Sequence, residues 1–453
     1  MKITFLGATG TVTGSKYLLT AQSEKILIDC GLFQGYKPLR LRNWNRLPVY
    51  PGDLGSVVLT HAHIDHSGYL PLLVKNGFRG KIYCSESTYE LCKILLPDSG
   101  RLLEEEANYA NRHGFSKHRP ALPLYSEADA VRSLKYFFPV KFGRPFKVGT
   151  HFFAEIIPAG HILGAAIVKL RSQETTITFS GDLGRFHDSV MAPPSYVDQT
   201  DYLVVESTYG NRIHDPTNPC ILLGKIIRET VNRGGVTLIP SFAVGRAQML
   251  IYYLYLLKQS GEIPVSLPIY LNSPMAARVT EIYRTHRQDH RLTDTQCKGL
   301  DETVKIVNSV EESIALNQHR TPMVIIAASG MATGGRVLHH LKAFAPDPRN
   351  TILFAGFQAG GTRGAAMIDG AEAIKIHGEY VPIRAQVAHI DNLSAHADKQ
   401  EILSWLSHFS HPPKKTFITH GEMVASDTLR QAVEEQLHWC CCIPEYLESA
   451  ELS

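Results

Sequence analysis

The stretch LTHAHIDHSG, residues 59–68, sets three histidines and an aspartate directly behind the apolar run VVL. His61 and His63 are two residues apart, so on an extended segment both imidazoles point the same way. Asp65 and His66 follow where the chain must turn into a helix near Ser67. Aspartate suits that entry, because a carboxylate can cap free N–H groups. Neutral imidazole mixed with carboxylate suits zinc, manganese or iron, and an open hydrolytic site rather than a closed cysteine-rich one. A polar loop of surface histidines would explain one His-x-His. It does not explain H-x-H-x-D-H packed behind an apolar strand.

Two metal ions need more ligands than these four. His161 in IIPAGHILGAA and Asp182 in FSGDLG stand at strand–glycine junctions of the same half. Either one alone reads as a hydrogen-bonded histidine or an ordinary turn aspartate. Beside the first cluster they become ligand candidates. Farther along, His396 in NLSAHAD and His420 in FITHGE add imidazoles, and Glu206 ends the strand LVVE before STYG. An N-cap-like turn role is the plainer explanation of Glu206 taken alone.

These groups need a scaffold that brings distant strand ends together. The chain has 453 residues, 44% hydrophobic and 20% charged, with a net charge of +3. That composition supports two to three domains with sizeable cores. The near-neutral total says nothing for or against a polyanionic partner, since a basic groove can hide inside it. No leader-like apolar segment opens the chain, and the most apolar helical run, MLIYYLYLL, is too short for a bilayer. The eight cysteines form no CxxC pair, which points to reduced thiols in a cytoplasmic protein. The triple Cys440–Cys442 reads as a partly buried C-terminal strand.

The first part is strand-rich (KITFLG, KYLLT, KILIDC, SVVLT, KIYCS, HFFAEII, GAAIVKL, TTITFSG) with few helices. From residue 210 to 350 each short apolar strand runs at once into a helix, the pattern of a parallel sheet with ligand-facing loops at its carboxyl ends. Strands return after 351 (TILFAGF, VPIRAQV, KTFITHG). The expected organisation is an α/β protein in which residues 1–209 and 351–453 form one domain and 210–350 a second, inserted domain.

The motifs H-x-H-x-D-H at 61–66, with Asp29 in ILIDCG, His161 and Asp182, resemble those of the metallo-β-lactamase superfamily. Glu206 in ESTYG, His396 in SAHAD and His420 in THGE resemble the extra motifs of its β-CASP branch. These are nucleases that include the pre-mRNA 3′-end endonuclease and related bacterial ribonucleases. The resemblance runs the length of the chain. It implies an αββα sandwich with an inserted parallel-sheet α/β domain, and two zinc ions, with manganese or iron as alternatives. It places His61, His63 and His161 on one ion, Asp65, His66 and His420 on the other, and Asp182 between them. Asp29 would orient ligands from behind. Asp65 would also serve the chemistry, His396 would be the acid for the leaving oxygen, and Glu206 would hold its ring. RNA-directed members of the branch have histidine at the position of His420, whereas DNA-directed members tend to have valine.

The implied activity is RNA phosphodiester hydrolysis, probing internal bonds more than ends and leaving a 5′-phosphate and a 3′-hydroxyl. ASGMATGGR sets a Ser-Gly pair between a strand and a helix, where free amides attract anions, and the resemblance places phosphate contacts there at Ser329, Gly330 and Met331. Arg246 in FAVGR and Arg336 are weaker candidates for the RNA backbone, since surface arginines are often only solvated. FQAGGTRG, residues 357–364, reads as a turn closing the inserted domain, with Arg363 as a further candidate. RNA is expected in a cleft between the domains, read through its backbone. The chain as read begins on its first strand, without the N-terminal RNA-binding modules of archaeal relatives or the C-terminal extension of exonuclease relatives. Sequence preference would then come from the cleft, a partner or a homodimer. No membrane partner is expected. Two rivals stand beside this reading. A small-ester or thioester hydrolase would explain residues 29–182 but not Glu206, His396 or the insertion. A non-catalytic RNA-binding scaffold would not need every ligand position filled.

Overall fold

The computed structural model describes residues 1–114, 116–173 and 175–453. It divides into two compact units, Met1–Ile213 with His396–Ser453, and His214–Ala395.

The first unit carries two seven-stranded sheets. One contains Lys2–Phe5, Tyr17–Ala21, Glu24–Ile28, Leu54–Val58, Lys81–Ser85 and Phe137–Val140, with Ser449–Glu451 added beside the first strand. The other contains Phe146–Lys147, Phe153–Pro158, Ala166–Ser172, Thr175–Phe179, Tyr202–Glu206 and Lys415–Thr419, edged by Cys441–Cys442. The apolar faces meet in one core. Ile3, Leu19, Ile28 and Val58 of the first sheet pack with Ile156, Val168, Phe179, Val204 and Phe417 of the second. Burying this apolar area is the main favourable term for the sandwich. Helices lie against the outer faces, among them Glu86–His113 and Met423–Leu437. This is the expected αββα arrangement. The triple cysteine does end in a strand that pairs parallel with Lys415–Thr419.

Topology explains why distant residues meet. Glu24–Ile28 and Leu54–Val58 run parallel, with Ile28 opposite Val58, so Asp29 and Leu59 leave the sheet side by side. Thr175–Phe179, Tyr202–Glu206 and Lys415–Thr419 are also mutually parallel, with Glu206 opposite Thr419. Asp182, Glu206 and His420 therefore emerge at the carboxyl edge of one sheet, where open α/β folds place their chemistry.

The second unit has a six-stranded parallel sheet with buried central strands Val236–Pro240, Met323–Ala327 and Thr351–Ala355. Unbroken burial is what a parallel sheet covered on both faces requires. Here the structure corrects the expected boundary at residue 350. Thr351–Ala355 pairs with Val236–Pro240 and with Gln386–Ile390, so the second unit continues to Ala395. Apolar alternation announces a strand but not the sheet it joins. VPIRAQV, expected as one strand, is split: Glu379–Pro382 closes a hairpin with Ala373–Ile376, and Gln386–Ile390 enters the large sheet. FQAGGTRG does not close the unit. It leads into the helix Arg363–Ile368, and Arg363 donates to the carbonyls of Lys375, Ala332 and Thr333. Among the described residues no helix is long and apolar enough to cross a membrane.

Candidate metal centre

The strand Leu54–Val58 gives way to an extended segment and then the short helix Ile64–Ser67. Its N-cap is His63, not the aspartate expected there, and no side chain caps it. Asp65 sits inside the first turn, with its carboxylate turned toward His420 and His66 at 3.4 and 3.8 Å. The turn's amides are met by backbone instead, since His66 N and Ser67 N both donate to His63 O, while the carbonyls of His66 and Ile64 accept from Cys30 N and Leu32 N. Gly31 makes this approach possible, since a Cβ there would collide with the Asp65 carbonyl.

Around this turn the ligand candidates form two adjoining groups. His61, His63, His161 and Asp182 bring donor atoms within 4.8 Å of one another, and so do Asp65, His66 and His420. In the first group His63 Nδ1 lies 3.1 Å from His61 Nε2 and 3.3 Å from His161 Nε2. In the second, His66 Nε2 and His420 Nε2 stand 3.0 Å apart. Asp182 faces both. Its Oδ2 lies 3.4 and 3.6 Å from His61 and His161, and its Oδ1 lies 3.2 and 3.6 Å from His66 and His420.

The electrostatics follow from burial. Desolvation holds His61 well below the usual histidine range and takes His63 down to about 4, so both keep a nitrogen lone pair at neutral pH. Burial works against a charge on His66 as well, but Asp182 and Asp29 outweigh it and raise that imidazole well above its ordinary value. The same field favours any positive charge placed there. Burial would raise Asp182, yet the surrounding imidazoles, His420 first, hold it well below the carboxylate range. Asp65 is lowered too, burial being outweighed by His420 and His66.

Asp29 touches none of the first group. It is fully buried, with φ +55°, and accepts from Thr60 N at 2.7 Å and Thr60 Oγ at 2.9 Å while contacting His66 Nδ1 at 2.7 Å. That contact fixes which nitrogen of His66 faces the cluster. His420 also has a positive φ, +52°, and its amide donates to Ala8 O. Non-glycine residues in this region are uncommon, and here two of them aim side chains at the candidate centre.

His396 enters on the far side. Its Nδ1 lies 3.1 and 3.0 Å from the two oxygens of Glu206, and its Nε2 lies 3.9 Å from Asp182 Oδ2. Glu206, 1% exposed, also accepts from Leu183 N at 2.6 Å and Thr208 N at 3.3 Å. Burial pulls the His396 imidazole down, but Glu206 and then Asp182 overcome it and lift it to about 9. Its chain position is set by Ala397 N on Leu183 O and by a capping box, Asp398 with Glu401, that starts the next helix. Glu206 is therefore more than a turn residue.

Ser329, Gly330, Met331 and Arg246 belong to the second unit. Ser329 Oγ accepts from the amides of Thr333 and Gly334 in the loop between Met323–Ala327 and Arg336–Phe344. A Cβ on Gly330 would sit 2.7–2.8 Å from the ring and amide of Phe242. Arg246 and Arg336 are not solvated surface arginines. Arg246 is 8% exposed and donates to Ala355 O at 2.6 Å, while Arg336 donates to Asn272 Oδ1 and to the Val307 and Asn308 carbonyls.

Sequence reasoning missed three partners. Thr60 holds Asp29, Thr208 Oγ lies 3.1 Å from His420 Nδ1, and Leu183 N anchors Glu206. Thr60 and Thr208 each stand inside a motif already singled out, so adjacency was the available signal.

The donor set fits a pair of divalent metal ions. Three imidazoles and a carboxylate converge at one point, and two imidazoles and a carboxylate at the next. Asp182 Oδ1 is buried, and no described donor reaches it with hydrogen-bond geometry. Imidazole nitrogens crowded 3.0–3.3 Å apart suit a shared cation better than they suit one another.

Comparison with known proteins gives three family matches. Residues 9–217 match the metallo-β-lactamase superfamily, residues 247–367 the β-CASP domain, and residues 380–444 the RNA specificity domain of Zn-dependent metallo-hydrolases. Ribonuclease TTHA0252 of Thermus thermophilus is 36% identical over 429 residues, covering 93% of each chain. Probable RNase MJ4 of Methanocaldococcus jannaschii is 32% identical, covering 95% of each. Transcription termination factor FttA of Methanosarcina mazei is 31% identical over 96% of this chain and 69% of its own. A solved protein of unknown function from Enterococcus faecalis V583 shares the fold, with a TM-score of 0.55 at 13% identity over 99% of both chains.

Proposed function

The chain belongs to the β-CASP ribonucleases of the metallo-β-lactamase superfamily, metal-dependent hydrolases of RNA, and from that premise we propose a zinc-dependent endonuclease that leaves 5′-phosphate and 3′-hydroxyl ends in cytoplasmic RNA. His61, His63 and His161 would hold one ion, Asp65, His66 and His420 the other, and Asp182 both. Such ions supply Lewis acidity and a water that ionises near neutral pH.

The rest of the chemistry falls to the chain itself. The observation that carries the proposal is the His396–Glu206 pair, whose Nδ1 contact at 3.0 Å turns Nε2 toward the ligand cluster. A general acid must be protonated and oriented before the bond breaks. Glu206 does both, holding the Nδ1 proton and favouring the imidazolium. His396 then releases a proton from Nε2 to the departing 3′ oxygen. Asp29 and Thr60 keep His66 from rotating, and Thr208 does the same for His420. A thioester hydrolase has no use for such an acid, because a thiolate leaves readily without one.

We assign the phosphate contacts to Ser329, Gly330 and Met331, on a loop that Gly330 packs against Phe242. Arg246, buried on the Ala355 carbonyl, is left out of that set. Association into a homodimer is a separate proposal that light scattering tests.

The test compares metal-loaded wild type with His396→Ala on a labelled single-stranded RNA. We expect the variant to keep both metals and bind RNA, yet cleave at least a hundredfold more slowly, in line with the ~10²–10⁴-fold worth of a general acid. Loss of metal in the variant would show that His396 is a ligand.

A further inference from the structure

One surface of the first unit has no part in the chemistry above. Residues 34–52 read QGYKPLRLRNWNRLPVYPG, with Lys37, Arg40, Arg42 and Arg46 and no acidic residue. They fold as a short helix, Lys37–Leu41, and two 3-10 turns, Arg42–Trp44 and Pro51–Asp53, the last ending on an aspartate that pairs with Lys25. Tyr36, Trp44 and Tyr50 are 56%, 58% and 66% exposed. A single exposed aromatic needs no explanation. Three in one segment, interleaved with exposed cations, do.

The segment is held in place, so these rings are presented by a fixed scaffold. Phe33 N donates to Asn43 Oδ1 and Asn43 Nδ2 returns a bond to Phe33 O, at 2.9 and 2.8 Å. Arg42 lies over the rings of Tyr446 and Phe33 at 4.4 and 5.5 Å, which pins the turn beside Trp44. Val49 is buried. The segment also grows out of the ligand loop, through Cys30 N on His66 O and Leu32 N on Ile64 O. It is thus tied to the metal centre by backbone hydrogen bonds.

We propose that this surface binds the single-stranded part of an RNA substrate beyond the bond being cut, with bases stacked on Trp44, Tyr36 and Tyr50 and phosphates met by Lys37, Arg40 and Arg46. The inference rests on RNA being the substrate. Aromatic platforms among cations grip single strands with little regard to sequence, because every base has a π-face. A duplex hides those faces, so it does not fit. Four cations against the single Asp53, itself paired with Lys25, fit a polyanion rather than a second copy of a nearly neutral chain.

The protein carries its own probe. Of its three tryptophans, Trp405 and Trp439 are 0% and 6% exposed, so quenching by a nucleic acid reports Trp44. Metal-loaded full-length protein is titrated with phosphorothioate-blocked RNAs of about 4 and about 16 nucleotides, and with a duplex. We expect the long single strand to quench the emission, the duplex to leave it unchanged, and Trp44→Phe to lose the signal. Trp44→Ala should raise KM about 5- to 150-fold for the long RNA at unchanged kcat, and leave the short RNA as in wild type. Trp44→Tyr should restore KM. Arg40→Ala with Arg46→Ala should flatten the dependence of log affinity on log salt by about 1.4. No quenching of the wild type by the long single strand, together with a Trp44→Ala KM equal to wild type, in a protein that still cleaves RNA, overturns this surface alone. So does a Trp44→Ala variant whose oligomeric state shifts instead of its KM. A wild type that cleaves no RNA overturns the ribonuclease reading, and quenching then judges the surface separately.

Discussion

Replacing Glu206 by glutamine tests how the leaving-group proton is held. Glu206 offers two oxygens. Leu183 N reaches one at 2.6 Å, Thr208 N the other at 3.3 Å, and His396 Nδ1 lies 3.0–3.1 Å from both. Glutamine has one acceptor. The shorter Leu183 bond keeps the carbonyl, so the amide NH₂ turns toward the Thr208 N–H and His396 Nδ1. The retained carbonyl still lies 3.1 Å from Nδ1, but the negative charge is gone and an NH₂ donor takes the place of the oxygen at 3.0 Å, so the imidazolium loses its charged partner. A hydrogen bond to a charged partner contributes about 1.5–3 kcal/mol, which predicts a loss in kcat of about 10- to 160-fold. The cost falls on the step that needs the protonated ring, so KM and metal content stay as in wild type. Single-turnover cleavage of a labelled RNA, with metal content by mass spectrometry, reads both quantities. A rate within twofold of wild type would refute the orienting role. A matching loss of metal would show that Glu206 serves the ligands instead.

Four further outcomes follow from the same geometry. His420→Ala should lose one metal while the His61 group keeps the other; mass spectrometry finding both retained would sink the ligand assignment. Asp29→Ala removes the partner of His66 Nδ1 and the Thr60 bonds, so metal affinity should weaken about 10- to 100-fold in a chelator competition. Gly330→Ala drives a methyl into Phe242 and should cost about 1–3 kcal/mol, seen as a lower thermal midpoint; an unshifted midpoint would show that the loop has room. Lys16 is buried, and desolvation, opposed by Cys30, lowers its ammonium to about 8. The unfolded chain therefore binds more protons than the fold between about pH 8 and 10.5, and this group adds stability as pH rises through that window. Lys16→Met removes the effect, so the difference between variant and wild type should move in the variant's favour by about 2–3 kcal/mol at pH 7 relative to pH 10. A difference independent of pH would mean that Lys16 stays charged without strain.

The cluster proposed to hold the metals was legible because its residue types are rare together and each stands behind an apolar strand. His61, His63, His66, His161, Asp182 and His420 all do, and parallel pairing turns that shared position into shared space for all but His161, whose strand pairs antiparallel. The α/β alternation and the inserted parallel sheet were legible from strand spacing, while the αββα sandwich was what the family resemblance implied. The boundary near 350 was not, because Thr351–Ala355 has the pattern of either sheet and only its partner Val236–Pro240 decides. Asp65 as a cap failed because propensity speaks for a residue type, whereas here the His63 carbonyl takes the amides of His66 and Ser67 and the Asp65 carboxylate faces His420. Arg246 and Arg336 illustrate a second limit: a guanidinium that ends on a buried carbonyl looks in sequence like one in water. Thr60 and Thr208 act through hydroxyls on neighbouring rings, and a lone threonine carries no spacing signal.

The ends of the products test the central claim most directly. A 5′-labelled RNA is cut by the metal-loaded protein and the fragments are mapped by ligation and phosphatase sensitivity. Attack by water with a proton delivered to the 3′ oxygen predicts internal cuts bearing 5′-phosphate and 3′-hydroxyl, abolished by chelation. Fragments ending in 2′,3′-cyclic phosphate would mean that the ribose hydroxyl is the nucleophile, and would contradict the roles given to His396 and the metal ligands.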